Sequence, residues 1–175
     1  MIKKLVIMRS ISLLLFCILI TVGCEESKEV SHMDPVNWEK RKIKLNPTDS
    51  LVKGSTYLSI YSEIYDRSEK GTHSLTATAS LRNISSKDSV YILRTDYFDT
   101  KGKLIRTYFK EPIFIKPLET IHIVIDQDDM HGGTGANFTF EWATKKNIHE
   151  PLFEAVMIST TGQQGISFTT HGVKR

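Results

Sequence analysis

Cysteine is almost missing from this chain. There are two, Cys17 and Cys24, and none follows Cys24. No disulfide can tie the body of the chain together, whatever its compartment, so stability must come from a packed core. An excess of one charge is missing as well. The chain carries 23 Lys+Arg against 20 Asp+Glu. The three surplus cations, Lys3, Lys4 and Arg9, all precede Cys24, where no acidic residue occurs; removing them leaves 20 against 20. The basic pI therefore belongs to the N-terminal segment, and nothing in the remainder points to nucleic acid or an anionic surface as a partner. Long hydrophobic runs are also lacking. The apolar stretch 11–20 has ten residues. As a helix it rises about 15 Å, roughly half the hydrocarbon thickness of a bilayer. Internal repeats, low-complexity tracts and long amphipathic helices are absent too.

What is present begins with that N-terminal segment. Lys3, Lys4 and Arg9 precede the apolar run 11–20, and Thr21, Val22 and Gly23 follow it. These are the three regions of a secretory signal. Cys24 comes next, then Glu25 and Glu26. The arrangement resembles a bacterial lipoprotein signal, in which the cysteine is acylated and becomes the new N-terminus. Thr21 stands where such signals usually carry Leu, Val or Ile. The resemblance implies that 1–23 is a signal peptide removed on export, taking Cys17 with it. It also implies that lipid (palmitate among its acyl chains) on Cys24 holds the protein to a membrane on the periplasmic or cell-surface side. Each buried methylene contributes about 0.8 kcal/mol, and two or more chains hold where one is marginal.

Residues 24–55 read as a tether. The start is polar, and Asp34-Pro35, Asn46-Pro47 and Lys53-Gly54-Ser55 break regular structure. A short helix over 37–44 and docking of Trp38 on the domain are the alternatives to a flexible spacer, and the spacer is the preferred reading.

From 56 to 175 the pattern is that of strands. Tyr57, Tyr61 and Tyr65 share one face of a strand whose other face carries Leu58, Ile60 and Ile64. Leu75, Ala77, Ala79 and Leu81 alternate with polar residues, as do Ile121, Ile123 and Ile125. Residues 90–99 and 103–109 form strands joined by the turn Asp99-Thr100-Lys101-Gly102. Arg94 and Asp96 on the first of these suit a cross-strand ion pair. Phe138, Phe140 and Trp142 share a face. Phe153, Ala155 and Met157 alternate with Glu154, Val156 and Ile158, which predicts a central strand covered on both sides. Residues 166–170 form the last strand. The expected fold is all-β: an antiparallel immunoglobulin-like β-sandwich of seven or eight strands.

Several segments carry a family resemblance. They are 76–83 (Thr-Ala-Thr-Ala-Ser-Leu-Arg-Asn), 96–99 with Gly102, 132–138 (Gly-Gly-Thr-Gly-Ala-Asn-Phe), 154–158 (Glu-Ala-Val-Met-Ile) and 165–168 (Gly-Ile-Ser-Phe). Together they resemble a bacterial domain-of-unknown-function family whose members are often described as lipoproteins. The likeness spans about 57–172. It implies a single secreted β-domain and brings no catalytic residue with it.

Four constellations compete for a functional role. Asp126, Asp128, Asp129 and His131 offer oxygen and nitrogen ligands to a metal, but they lack the glycine and terminal glutamate of a calcium loop. A solvated connection explains them better. Gly132, Gly133, Thr134, Gly135 and Asn137 form a candidate binding loop whose backbone N–H groups could converge on an anion. It has no Gly-Lys-Ser/Thr ending, and a strand follows it rather than a helix. The plainer reading is that the glycines serve a turn or close packing. Gln163 and Gln164, between Gly162 and Gly165, complete the candidate loop set if the two loops share one end of the fold. His32, His73, His122, His149 and His171 show no paired ligand spacing, and no Gly-x-Ser-x-Gly marks a nucleophile. Exposed tyrosines on one strand would suit a glycan or protein surface, although a sheet face does as well.

The expectation is a non-enzymatic, lipid-anchored envelope domain without a cofactor, binding a protein or other envelope component. The rivals are a metal-dependent envelope enzyme and a small-anion-binding protein, both built on 126–135.

Overall fold

The structure, a computed structural model, describes residues 37–46, 48–162 and 165–175. The expected signal, Cys24 and the expected tether up to 36 lie outside the described residues, as do Gln163 and Gln164. Twelve strand segments are described: β1 Leu51–Ile60, β2 Glu63–Tyr65, β3 Thr72–Ser74, β4 Thr76–Arg82, β5 Val90–Phe98, β6 Leu104–Thr107, β7 Ile113–Ile115, β8 Thr120–Ile125, β9 Ala136–Lys145, β10 Leu152–Ser159, β11 Ile166–His171 and β12 Val173–Lys174. Among the described residues, helix is confined to two 3-10 turns, Glu39–Arg41 and Met130–Gly135.

The strands form two open antiparallel sheets and a small hairpin. The larger sheet runs β12-β1-β9-β5-β6, with β7 also paired to β5. The smaller runs β11-β10-β4-β8, and β2 pairs with β3. There are more segments than the expected seven or eight because β2, β3, β7 and β12 are only two or three residues long. Such pieces are too short to display a period of two.

Alternation places one face of each sheet on a shared core. Leu58, Ile60, Ile92, Phe138, Phe140 and Trp142 come from the larger sheet. The smaller sheet adds Ala77, Ala79, Leu81, Ile121, Ile123, Phe153, Ala155 and Met157. The two meet at Phe140 and Phe153, whose rings stack at 4.3 Å and 12°. Small alanines on β4 and β10 leave room for these aromatics, the large-against-small packing that fills a core without voids.

Trp142 explains a glycine. Gly54 pairs with it across β1 and β9, and a Cβ on Gly54 would lie 2.2 Å from the indole ring. The indole Nε1–H donates to Thr56 Oγ1 at 3.0 Å. The Lys53-Gly54-Ser55 segment, expected as a breaker, is therefore strand. Gly172 plays a related part where the chain steps from β11 in one sheet to β12 in the other. Its N–H donates to Phe153 O at 2.8 Å, and a Cβ there would meet Thr56 Cγ2 at 2.7 Å.

The folded part also begins before the expected position 56. β1 opens at Leu51, and residues ahead of it lie on the domain. Trp38 packs on Phe109 with ring centroids 5.6 Å apart. Ile43 N–H donates to Pro112 O at 2.9 Å, and Lys42 bridges to Ile113 at the edge of β7. Arg41 pairs with Glu119. Trp38 docks, so the spacer reading does not hold from 37 onward.

Three further expectations change. The tyrosines do not share a strand: β1 ends at Ile60, Tyr65 is on β2, and Tyr61 packs edge-on against Phe168 at 5.6 Å. Arg94 pairs along its own strand, with Nε donating to Asp96 Oδ2 at 2.6 Å. β10 is central within its sheet, yet Val156 and Ile158 on its outer side are 39% and 41% exposed. That face is open rather than covered.

Candidate functional site

The register gathers several loops at one end of the two sheets. Ala77 pairs with Ile125 and Thr76 with Ile158, so the connections leaving β8 and β10 emerge at the same end. β4 lies between those two strands, which sets them roughly 10 Å apart. The β5–β6 turn opens there too, because Phe98 pairs with Asn137 at the start of β9.

That turn forms as its residues predict. Asp99 Oδ1 accepts from the N–H groups of Lys101 and Lys103, both at 2.8 Å. Gly102 takes φ 77°, in the left-handed region that glycine enters without penalty.

The acidic segment after β8 divides into two parts. Asp126 Oδ1 accepts from Asp128 N–H at 2.9 Å, closing a local turn. Asp129 turns the other way and caps the 3-10 turn Met130–Gly135, accepting from His131 N–H at 3.4 Å. Its two oxygens are taken: Arg106 Nη2 donates to Oδ2 at 2.8 Å, and His131 Nδ1 lies 2.7 Å from Oδ1. Burial pushes the Asp129 carboxyl upward, but the bonds from His131 and Arg106 outweigh it, and the net direction is down. Arg106 Nη1 donates in turn to Tyr108 Oη at 3.3 Å. Burial raises the phenols of both Tyr108 and Tyr97. The four weak candidate ligands thus do not converge: Asp126 and Asp128 serve their own turn, while Asp129 serves Arg106 and His131. Among the described residues, no three His, Cys, Asp or Glu side chains are grouped to hold a metal ion.

The glycines close the end of the core. Gly132 is buried under the Tyr97 hydroxyl, where a Cβ would come within 2.1 Å of Tyr97 Oη and 2.6 Å of Ser62 Oγ. Those two oxygens are themselves hydrogen-bonded at 2.8 Å. Gly133 adopts φ 71°, ψ −153°, a conformation essentially restricted to glycine. Gly132 O accepts from Thr100 N–H at 3.1 Å and from Thr100 Oγ1 at 2.9 Å. Gly133 O accepts from Ser62 N–H at 3.1 Å, and Gly135 N–H donates to Thr100 Oγ1 at 2.9 Å. Two carbonyls and one N–H of the loop are thus committed to Thr100 and Ser62, which fasten it to the end of the core. Thr134 sits half-buried within the loop, and Asn137 lies on β9 opposite Ser59.

What this end presents to solvent is an oriented imidazole. His131 is 76% exposed in its side chain while Nδ1 is held by Asp129. When Nδ1 carries the proton donated to that carboxylate, Nε2 is left as an outward acceptor. Three of the other described histidines have partners elsewhere: His122 Nδ1 is 3.1 Å from Ser80 Oγ, His73 approaches Asp66 and His171 approaches Glu154.

Asn83, which closes the 76–83 family segment, is the most heavily bonded buried side chain described. Its Nδ2 reaches Asp88 O at 2.8 Å, Ile115 O at 3.1 Å and Lys116 O at 3.0 Å, and Oδ1 accepts from Ser85 N–H at 2.9 Å. Its only sequence signal was an Asx-type turn residue ending a strand.

A family model described as a protein of unknown function, DUF3124, matches residues 53–174. The chain belongs to this family. No curated protein matches it at a significant level. Among solved structures, one described as the crystal structure of Thermotoga maritima 1070 is similar at 11% identity and a TM-score of 0.46, covering 69% of this chain and 92% of that one. The DUF3124 match contains every strand from β2 to β12 and begins within β1.

Proposed function

We propose that this DUF3124 protein is a lipid-anchored cell-envelope protein whose β-domain, immunoglobulin-like in architecture, serves as a non-enzymatic binding module. The observation that carries the anchor is the N-terminal order of Lys3, Lys4 and Arg9, the ten-residue apolar run 11–20, and Gly23-Cys24. An immunoglobulin-like architecture is supported by two facing antiparallel sheets between which the chain passes repeatedly, as from β4 to β5 and from β7 to β8. A binding role is supported by the loop-bearing end, where rigid packing beneath Gly132 positions the exposed His131 without tying up its Nε2.

Docking of residues 37–46 bears on how the anchor would work. With Trp38 seated, the span from Cys24 to the domain is 24–36, whose contour reaches at most about 45 Å. The domain would stay close to the bilayer, and confinement would raise its effective concentration towards partners there. The test is fractionation of cells carrying the wild-type chain or Cys24→Ser. Wild type should sediment with membranes and be released by detergent, whereas Cys24→Ser should not be anchored. Equal distribution of the two would refute the anchor.

A further inference from the structure

The outer face of the larger sheet carries a second feature. The register of β5 against β9 shifts between Ile92 and Arg94, and such bulges often re-aim side chains beside functional sites. β7 pairs with β5 on one side of this point, at 90–92, and β6 on the other, at 96–98. Between them lies an open depression of about 380 Å³ lined by Leu93, Arg94, Thr107, Phe109, Lys110 and Glu141, within the size range of small-molecule sites.

Its arginine is held from behind. Asp96, nearly buried, accepts from Arg94 Nε at 2.6 Å through Oδ2 and from Thr107 Oγ1 at 2.7 Å through Oδ1. The guanidinium is fixed through Nε, and no acceptor among the described residues bonds its two terminal nitrogens. Lys110 makes no ion pair among the described residues either. Glu141 faces Arg94 across the β5–β9 register and has no hydrogen-bond partner among the described residues. The lining therefore offers a guanidinium held through Nε, a second cation, a carboxylate engaged only by the charge of Arg94 beside it, and an apolar floor of Leu93 and the nearly buried Phe109. A simple anion would meet Glu141 as a repulsive neighbour, and a simple cation would meet Arg94 and Lys110. A small molecule with both charges satisfies all three.

We propose that this depression binds a small zwitterion, an α-amino acid with an apolar side chain. Arg94 and Lys110 take its carboxylate, Glu141 takes its ammonium group, and Leu93 and Phe109 take its side chain. The inference rests on the binding-module reading but not on the lipid anchor, so either can fail alone. The test is a two-dimensional NMR titration of the detergent-solubilised full chain with leucine, 4-methylpentanoate and isoamylamine, the last two each lacking one charge. Leucine should give saturable shifts at Leu93, Arg94, Thr107 and Lys110, with either analogue binding about tenfold more weakly, the loss of one good charge-assisted contact. Arg94→Gln should weaken leucine about tenfold. Glu141→Gln should abolish the preference for leucine over 4-methylpentanoate. Both positions are substantially exposed, and circular dichroism checks that the variants fold. Absence of saturable shifts, equal binding of 4-methylpentanoate and leucine to wild type, or unchanged affinity in folded variants would each overturn the proposal.

Discussion

Arg41 and Glu119 form a two-pronged ion pair, Nη1 to Oε2 at 2.9 Å and Nη2 to Oε1 at 2.7 Å, that fastens the segment before β1 to the loop between β7 and β8. Both side chains are about three-quarters covered, and Glu119 also accepts from Lys116 N–H at 2.8 Å. The pair holds down what was expected to be tether. Arg41→Ala should cost about 1–2 kcal/mol, between a surface pair and a buried one. It should also open the chain near 37–50 to trypsin. Urea denaturation and a timed digest check both.

The same pair makes a pH prediction. The Arg41 bond, chief among the causes, holds the Glu119 carboxyl below its ordinary 4.5. A lowered carboxylate contributes stability that is fully present above its unfolded value and is lost as pH falls through the folded one. The stability gap between wild type and Arg41→Ala should therefore be constant near neutrality and shrink as pH drops below about 4.5. Chemical denaturation at a series of pH values would show it; a gap that widens in acid would contradict the assignment.

Two glycine substitutions should separate crowding from backbone strain. Gly132→Ala places a methyl against Tyr97 Oη and Ser62 Oγ, and overpacking of this kind costs about 1–3 kcal/mol or more. Gly102→Ala meets nothing within 4 Å but keeps φ 77°, a strain of about 1 kcal/mol. The order of the two midpoints in urea checks the reading, with Gly132→Ala the less stable.

Much of the fold was legible because most long strands have one face on the core. β4, β8 and the apolar half of β10 declare themselves by strict alternation, and the β5–β6 hairpin by Asp99 and Gly102. The start of β1 was hidden because Gly54 resembles a breaker until Trp142 is seen lying over it. The docked segment was hidden because Trp38 and Arg41 are single residues whose partners, Phe109 and Glu119, are distant in sequence. At the loop-bearing end, the glycines were found but their role depends on Tyr97 and Ser62, which no local pattern links to them. The bulge at Leu93 leaves no local signature either; it exists only in the pairing with β9.

Asn83→Ala should be among the most damaging substitutions on the smaller sheet. It removes four hydrogen bonds and strands three buried or half-buried carbonyls. Unsatisfied groups of this kind cost about 1–3 kcal/mol each, so a loss of at least about 3 kcal/mol is expected. Asn83→Asp should be nearly as harmful, because a carboxylate would face three acceptors. Thermal melts of both variants provide the check.

Intact mass spectrometry of the chain extracted from the membrane fraction tests the central claim most directly. The account predicts a polypeptide that begins at Cys24, without 1–23, and carries the added mass of acyl lipid on that residue. A full-length chain with unmodified Cys24, recovered without membranes, would contradict it.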